Sequence, residues 1–466
     1  MLLARRKPMG DMLRCMRLSS SRAIAVTAMV ALATVAVTGA PAHGQFFSQA
    51  VGGISVDARG VLSNAEKDHN GLRQYWLDNL QQVPGELNGP AKLRKISLRG
   101  LEEALAAIVS EEGRLPDEMR FLAGLQRIEY IFVYPEQNDI VLAGYAEGWQ
   151  VDGRGNMVGV TTGRPVMQLD DLLIALRTAK EAARGGILCS IDPTEAGLAR
   201  VRNMAATLVS PTGGVVDLAE AMARELGPQN IRFGGVPPES RFAHVLLGAD
   251  YRMKRLGMNF DPSPVRGLAS YLQMLKSTSA TGNQNLLPRW WLTTNYLPLL
   301  TDQEGLAWQL RGQGVKAMSE NDLLGADGRL KQTGKASPLA QKWADQMTKK
   351  YDELSVKEPI FGELRNCIDL AVVAALIVKE NLIAKAAVDL ATLLSAERFP
   401  THVYKTPKQV DSKASVVAAR DGYIFSASGG VQIDSWAEAS RKETSDELAG
   451  VHTNASQGRG RLWWWN

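Results

Sequence analysis

The chain has 466 residues, 45% hydrophobic and 22% charged, which places it with ordinary globular proteins and excludes a disordered or collagen-like chain. Its formal charge is +4, but residues 1–44 hold six basic side chains against Asp11 alone, a net of +5, so the remainder carries −1. A near-neutral body has no general drive towards phosphate backbones or anionic lipid, and nucleic-acid binding is set aside.

The first 45 residues carry the strongest signal. Arg5, Arg6, Lys7, Arg14, Arg17 and Arg22 precede an apolar, small-residue run from Ala23 to Val37. Gly39-Ala40-Pro41-Ala42-His43-Gly44-Gln45 follows. This order predicts a secretory signal peptide over 1–44, cut after Gly44 or alternatively after Ala42, and its apolar part is too short to span a bilayer comfortably. The expected product is exported to the periplasm or cell envelope and has no transmembrane span once the signal is removed.

Beyond the leader, Gly52-Gly53-Ile54-Ser55-Val56-Asp57 reads as a strand leaving a tight turn, and Gly429-Gly430-Val431-Gln432-Ile433-Asp434 echoes it. Val56-Asp57-Ala58-Arg59-Gly60 is echoed by Val151-Asp152-Gly153-Arg154-Gly155, which suggests two similar hairpin turns. Leu101, Leu105, Ile108 and Val109 have helical spacing behind Ser97, a candidate cap. Strands are expected over 128–135 and 140–143 as a hairpin, then a helix over 169–183 and a strand around Cys189. Asp192 and Pro193 read as N-cap and first position of the next helix. A helix over 216–226 and a strand over 231–236 follow, while Phe242–Met258 fits helix or strand equally. Lys276 to Asn285 lacks apolar anchors and reads as a seam. Strands at 290–294 and 306–310 and helices over 338–354 and 361–394 come after it. Residues 412–434 read as an antiparallel meander turning at Asp421-Gly422 and Gly429-Gly430.

This order predicts an α+β fold with mainly antiparallel strands, built as one large domain or two packed lobes. The lobes would be 45–276 and 288–436, joined by a linker at 277–287, with 437–466 a disordered tail ending in tryptophans.

Cys189 and Cys367 are the cysteines left after signal removal, and in an oxidising compartment they could form one disulfide. A cysteine nucleophile would need Cys189, His244 as base and Asp192 as orienter, although each also reads as a core, packing or capping residue. His69, His244, His402 and His452 lack metal-ligand spacing, so no metal site and no cofactor are expected. Asp170-Asp171, Glu102-Glu103 and Asp302 with Glu304 are carboxylate pairs. The first falls in a helical first turn, where acidic residues favour the helix dipole. Gly153-Arg154-Gly155 lacks a third glycine for a phosphate loop, and no Gly-x-Ser-x-Gly elbow occurs. Trp463, Trp464 and Trp465 either fold back as a strand or form a binding tip for a partner.

Several segments together resemble an uncharacterised family of exported proteins from planctomycete-type bacteria, a domain of unknown function. They are Phe132-Val133-Tyr134-Pro135, Gly163-Arg164-Pro165, Leu169-Asp170-Asp171-Leu172 and Cys189-Ser190-Ile191-Asp192-Pro193-Thr194, then Ala249-Asp250-Tyr251-Arg252-Met253-Lys254-Arg255-Leu256 and Pro288-Arg289-Trp290-Trp291. Tyr351 to Phe361 and Ser428-Gly429-Gly430-Val431 complete the resemblance, which implies export and supplies no catalytic residue. The expected function is a non-catalytic binding protein for a protein or cell-envelope component. The alternative is an envelope hydrolase using Cys189 and His244.

Overall fold

Two β-sheets and the helices packed on them carry the fold. The structure, a computed structural model, describes residues 51, 54–57, 60–64, 69–207, 215–277, 286–324, 329–414, 417–419, 422–424, 428–458, 460 and 462–466. The expected leader at 1–44 lies outside the described residues, as does most of the seam, 278–285.

In the larger sheet the strands run, in spatial order, Ile54–Val56, Val61–Asn64, Gln409–Val410, Gln229–Gly234, Ile187–Asp192, Ser428–Ile433, Leu286–Asn295, Gly314–Leu324 and Leu330–Gln332. The smaller runs Lys442–Thr444, Leu299–Thr301, Ala307–Gln309, Tyr130–Tyr134, Asp139–Ala146, Ala91–Ser97 and Trp464–Trp465. Among these pairings only three are parallel, so the protein is α+β with mostly antiparallel strands. Strands from either side of residues 277–287 share hydrogen-bond ladders in both sheets. The expected lobes at 45–276 and 288–436 are therefore interleaved, and Phe47–Asn466 forms one compact unit. A polar, anchor-free run reads as a linker, but local composition does not reveal that the chain returns to the sheet it left.

Helix α1 is His69–Asn79 and α2 is Leu98–Ser110, capped as expected by Ser97 Oγ accepting from Gly100 N at 2.8 Å. Helix α3 is Leu169–Ala182, α4 is Glu195–Thr207 and α5 is Val215–Leu226. The cap of α4 is Thr194, whose Oγ1 accepts from Gly197 N at 3.0 Å. Asp192 instead ends the strand before it, paired with Asn230, with its carboxylate taken by the Ser190 hydroxyl at 2.7 Å. The ambiguous stretch becomes α6, Arg241–Gly257, started by Ser240 Oγ accepting from Ala243 N at 3.1 Å.

Helices α7, Pro338–Lys349, and α8, Tyr351–Lys357, precede α9, Pro359–Lys379, which is buried without interruption from Pro359 to Ile377. Helix α9 packs against α3 and α6 and forms the spine of the core. It is buried on every side, mostly by apolar residues, and its buried charges Glu363, Arg365 and Asp369 are held in ion pairs. The helix expected through Leu394 stops because Asn381 takes a left-handed conformation, φ 53°, and two short helices follow at Leu382–Ala386 and Ala391–Leu394. No described helix is long and apolar enough to cross a membrane.

The two echoed Asp-x-Arg-Gly turns are built alike. Asp57 Oδ1 accepts from Val61 N and Asp152 Oδ1 from Asn156 N, at 2.9 and 2.8 Å. Gly60 and Gly155 take φ of 84° and 87°. Gly429-Gly430, expected as a turn, lies inside the strand Ser428–Ile433, between Leu286–Asn295 and Ile187–Asp192. A Cβ at 429 would sit 1.6 Å from the Trp290 carbonyl, and one at 430 would sit 2.1 Å from that of Cys189. These glycines permit close backbone approach. Of the other expected turn, Asp421 lies outside the described residues, and Val417–Ala419 pairs with Gly422–Ile424 across it.

Residues 437–466, expected as a disordered tail, are largely folded. Helix α10, Ser435–Ser440, reaches into this span, and α11, Glu447–Ala455, lies within it. Trp464 and Trp465 then pair with Ile96 and Lys95 at the edge of the smaller sheet. Both are buried. The Trp465 indole donates to the Ala455 carbonyl, and Arg94 and Lys95 lie against the two indoles. Of the two alternatives for Trp463, Trp464 and Trp465, the structure has the fold-back strand. A polar composition hid this because few anchors are needed when aromatic ones bury so much area.

Candidate functional site

A cleft of about 200 Å³ opens where the starts of α3 and α6, the first turns of α9 and the strap at residues 402–404 converge under α1. Tyr75 and Trp76 of α1, Phe121 and Tyr404 give it aromatic walls, and Asp170, Arg241, Glu363, His402 and Arg120 supply charged and polar lining.

Its electrostatic centre is Arg241, at the first position of α6. One guanidinium nitrogen pairs with Asp171 and the other with Glu363 Oε1 at 2.9 Å. Asp171 sits in the first turn of α3 and Glu363 one turn into α9, both buried. Burial raises the Asp171 carboxyl to about 6 even though Arg241 opposes it, and Glu363 and Asp170 shift upward for the same reason. Glu363 Oε2 has no hydrogen-bond partner. An unmet acceptor in a buried carboxylate is costly unless something outside the fold completes it.

The remaining walls are braced from behind. Arg177 of α3 donates to the carbonyls of Leu393, Ser395 and Phe399, which anchors the chain leading to the strap. His402 N approaches Asp170 Oδ2 at 3.4 Å, and the His402 and Tyr404 rings meet edge to face. Arg120 pairs with Asp117 at 3.3 Å and lies over the Trp76 ring.

The residues suggested for cysteine chemistry are not brought together. Cys189 is buried in its strand, where burial first and then Asp250 push its thiol well above the ordinary range, so it is no ready thiolate. His244 is buried in α6 with Nδ1 3.0 Å from the Ser240 carbonyl and Nε2 3.0 Å from that of Lys405, and its ring packs on Tyr404. Asp192 serves Ser190, not His244. Cys367 is also a buried free thiol, set in α9 near Asp171 and Arg241, whereas Cys189 faces Asp250 and Lys254. The two therefore occupy different surroundings and are not bridged. Among the described residues no group of three or more His, Cys, Asp or Glu side chains could hold a metal ion.

A second, smaller cavity of about 60 Å³ is lined by Tyr251, Lys254, Arg255, Phe260 and Lys413 among others. Two of its three cations are occupied. The Lys254 ammonium donates to Asp250 Oδ2 and to the carbonyls of Ile191 and Gly429, while Arg255 forms a two-pronged pair with Asp261. It stabilises the joint between α6 and the larger sheet.

Of the cleft residues, only Asp170 and Asp171 stood out in sequence as a possible acid–base pair, and the helix dipole explained them. Arg241 and Glu363 gave no signal, because no spacing links side chains so far apart in the chain. Fold and cleft together define an α+β protein with a polar-floored, aromatic-walled cavity of small-molecule size. A family model described as "Protein of unknown function (DUF1598)" matches residues 189–271, the stretch from the Cys189 strand through α6 and into the helix Tyr271–Lys276. Arg241 lies within that match. No curated protein and no solved structure matches the chain.

Proposed function

We propose that this protein is an exported, non-catalytic binding protein of the periplasm or cell envelope, and that it takes part of an envelope component or partner protein into the cleft around Arg241 and Glu363. One observation carries the reading: aromatic walls enclose a charge cluster fixed by ion pairs, with two buried carboxylate oxygens, Asp171 Oδ1 and Glu363 Oε2, left unsatisfied. Apolar walls with a few convergent polar groups are the usual composition of a ligand site. The basic, apolar, small-residue order of residues 1–45 supports export.

The test has two arms. After expression of the full chain and separation of compartments, the exported form begins at Gln45; intact protein starting at Met1 in the cytosol refutes export. A panel of small amines, acids and sugars is then screened by thermal shift against the mature protein and against Leu115→Trp, which fills the cleft wall. Stabilisation lost in the variant supports the cleft, and equal stabilisation of both proteins refutes it.

The upward shifts of Asp171, to about 6, and of Glu363 favour one second reading, a hydrolase using these carboxyls as proton donors. Cys189 and His244 have no part in it. Release of product from envelope material, abolished in Glu363→Gln, would select this reading over simple binding.

A further inference from the structure

The charges around the cleft are unequal in what they still lack. Arg241 is committed on both sides, to Asp171 and to Glu363. Arg120 lies over the face of Trp76 and its Nε comes within 3.3 Å of Asp117 without making a hydrogen bond, so this half-exposed guanidinium at the rim is only partly matched. The carboxylates are less fully matched, because Asp170, Asp171 and Glu363 gather round a single buried guanidinium. Glu363 is 94% buried, since its exposure is 6%, it lines the cavity, and its Oε2 accepts nothing. At the floor of the cleft a ligand carboxylate or phosphate would therefore meet an Arg241 already occupied and an uncompensated acceptor. A ligand with N–H donors and positive charge would meet the missing need.

The walls fit the same chemistry. Trp76, Tyr75, Phe121 and Tyr404 present aromatic surface, which attracts an ammonium through its face and packs an adjoining apolar group. The volume of about 200 Å³ limits the occupant to a small molecule or to the tip of a larger one.

We propose that the cleft selects a primary ammonium joined to a small apolar group, with Glu363 accepting its N–H and the rings of Trp76 and Tyr404 flanking it. This rests on the reading of the cleft as a ligand site, and the probes are chosen so that the two can fail separately. Binding to the full mature protein is measured by titration calorimetry with benzylamine, phenethylamine and cyclohexylamine, and with benzyl alcohol and benzoate as near-isosteric neutral and anionic probes. Variants are Glu363→Gln, which keeps an acceptor for Arg241, and Leu115→Trp, which closes the cleft without touching its charges.

The expected result is that an amine binds at least tenfold more tightly than benzyl alcohol, that benzoate is the weakest probe, and that Glu363→Gln loses at least tenfold in amine affinity. Leu115→Trp abolishes binding while unfolding at the temperature of the parent. Preference for benzoate or benzyl alcohol, still lost in Leu115→Trp, overturns the amine assignment and leaves the cleft as a site. Amine affinity unchanged in Glu363→Gln also overturns it. Failure of every probe, or binding indifferent to Leu115→Trp, overturns both.

Discussion

Asp250 allows a sharp test of how burial controls charge in this fold. It lies in α6 with no exposure, one oxygen paired with the Lys254 ammonium at 2.9 Å and the other without a partner. Burial is the largest influence on its carboxyl and raises it from an ordinary 3.8 to about 6, against the pull of Lys254. A carboxyl raised in the folded state holds its proton there over a range, near pH 4 to 6, where the unfolded chain has released it. Stability therefore falls as pH rises through that window. At ~1.4 kcal/mol for each tenfold change in ionisation, the loss between pH 4 and pH 7 is about 2.4 kcal/mol, because at pH 4 the unfolded carboxyl is already more than half ionised. Asp250→Asn cannot titrate and escapes this loss. Urea unfolding of parent and variant from pH 4 to 7.5 isolates the effect, because other carboxyls, including Glu147 and Asp261 with their lowered values, cancel in the difference. The variant should gain by about 2.4 kcal/mol relative to the parent between pH 4 and pH 7. A difference that stays flat, or that moves towards the parent, refutes the claim that burial outweighs Lys254.

Other consequences are as direct. Trp290 is fully buried against Tyr271 and Trp343, so Trp290→Ala should cost about 3–5 kcal/mol in denaturant unfolding, whereas its half-buried neighbour Trp291 should cost far less. Gly430→Ala should fail to give folded protein by circular dichroism and limited proteolysis, since its Cβ has no room beside the Cys189 carbonyl. Both thiols of the mature protein should resist an aromatic disulfide reagent at pH 8 and react fully, two per chain, in denaturant without reductant; zero in denaturant would mean a bridge. Asp152→Ala should cost about 1 kcal/mol by removing the acceptor of its turn, read as a lower urea midpoint.

Much of the local structure is legible in the residues themselves. Ser97 caps α2 where a hydroxyl precedes a periodic apolar run, and the paired aspartates open α3. The two Asp-x-Arg-Gly segments share their closing bond, the aspartate accepting from the amide after the glycine. What escapes is whatever depends on distant partners. Gly429-Gly430 has the composition of a turn, yet the neighbouring backbones make it the thin centre of a sheet. Asp192 has the composition of a cap, yet pairing with Asn230 keeps it extended and passes the role to Thr194. The cleft is less legible still. Arg241 and Glu363 each look like ordinary helical charges, and only the packing of α3, α6 and α9 sets them against one another.

The strand Ser428–Ile433 has a kinetic meaning as well as an architectural one. It is a keystone that is synthesised late, hydrogen-bonded on one side to residues 187–190 and on the other to residues 289–293. Until it arrives, both neighbours expose open edges and the larger sheet stays in two pieces. Such distant pairing slows closure and leaves the incomplete chain prone to aggregate or to need a holding chaperone. The larger sheet thus closes only once residues 428–433 exist, and a stop in synthesis before them leaves two half-sheets with nothing between them.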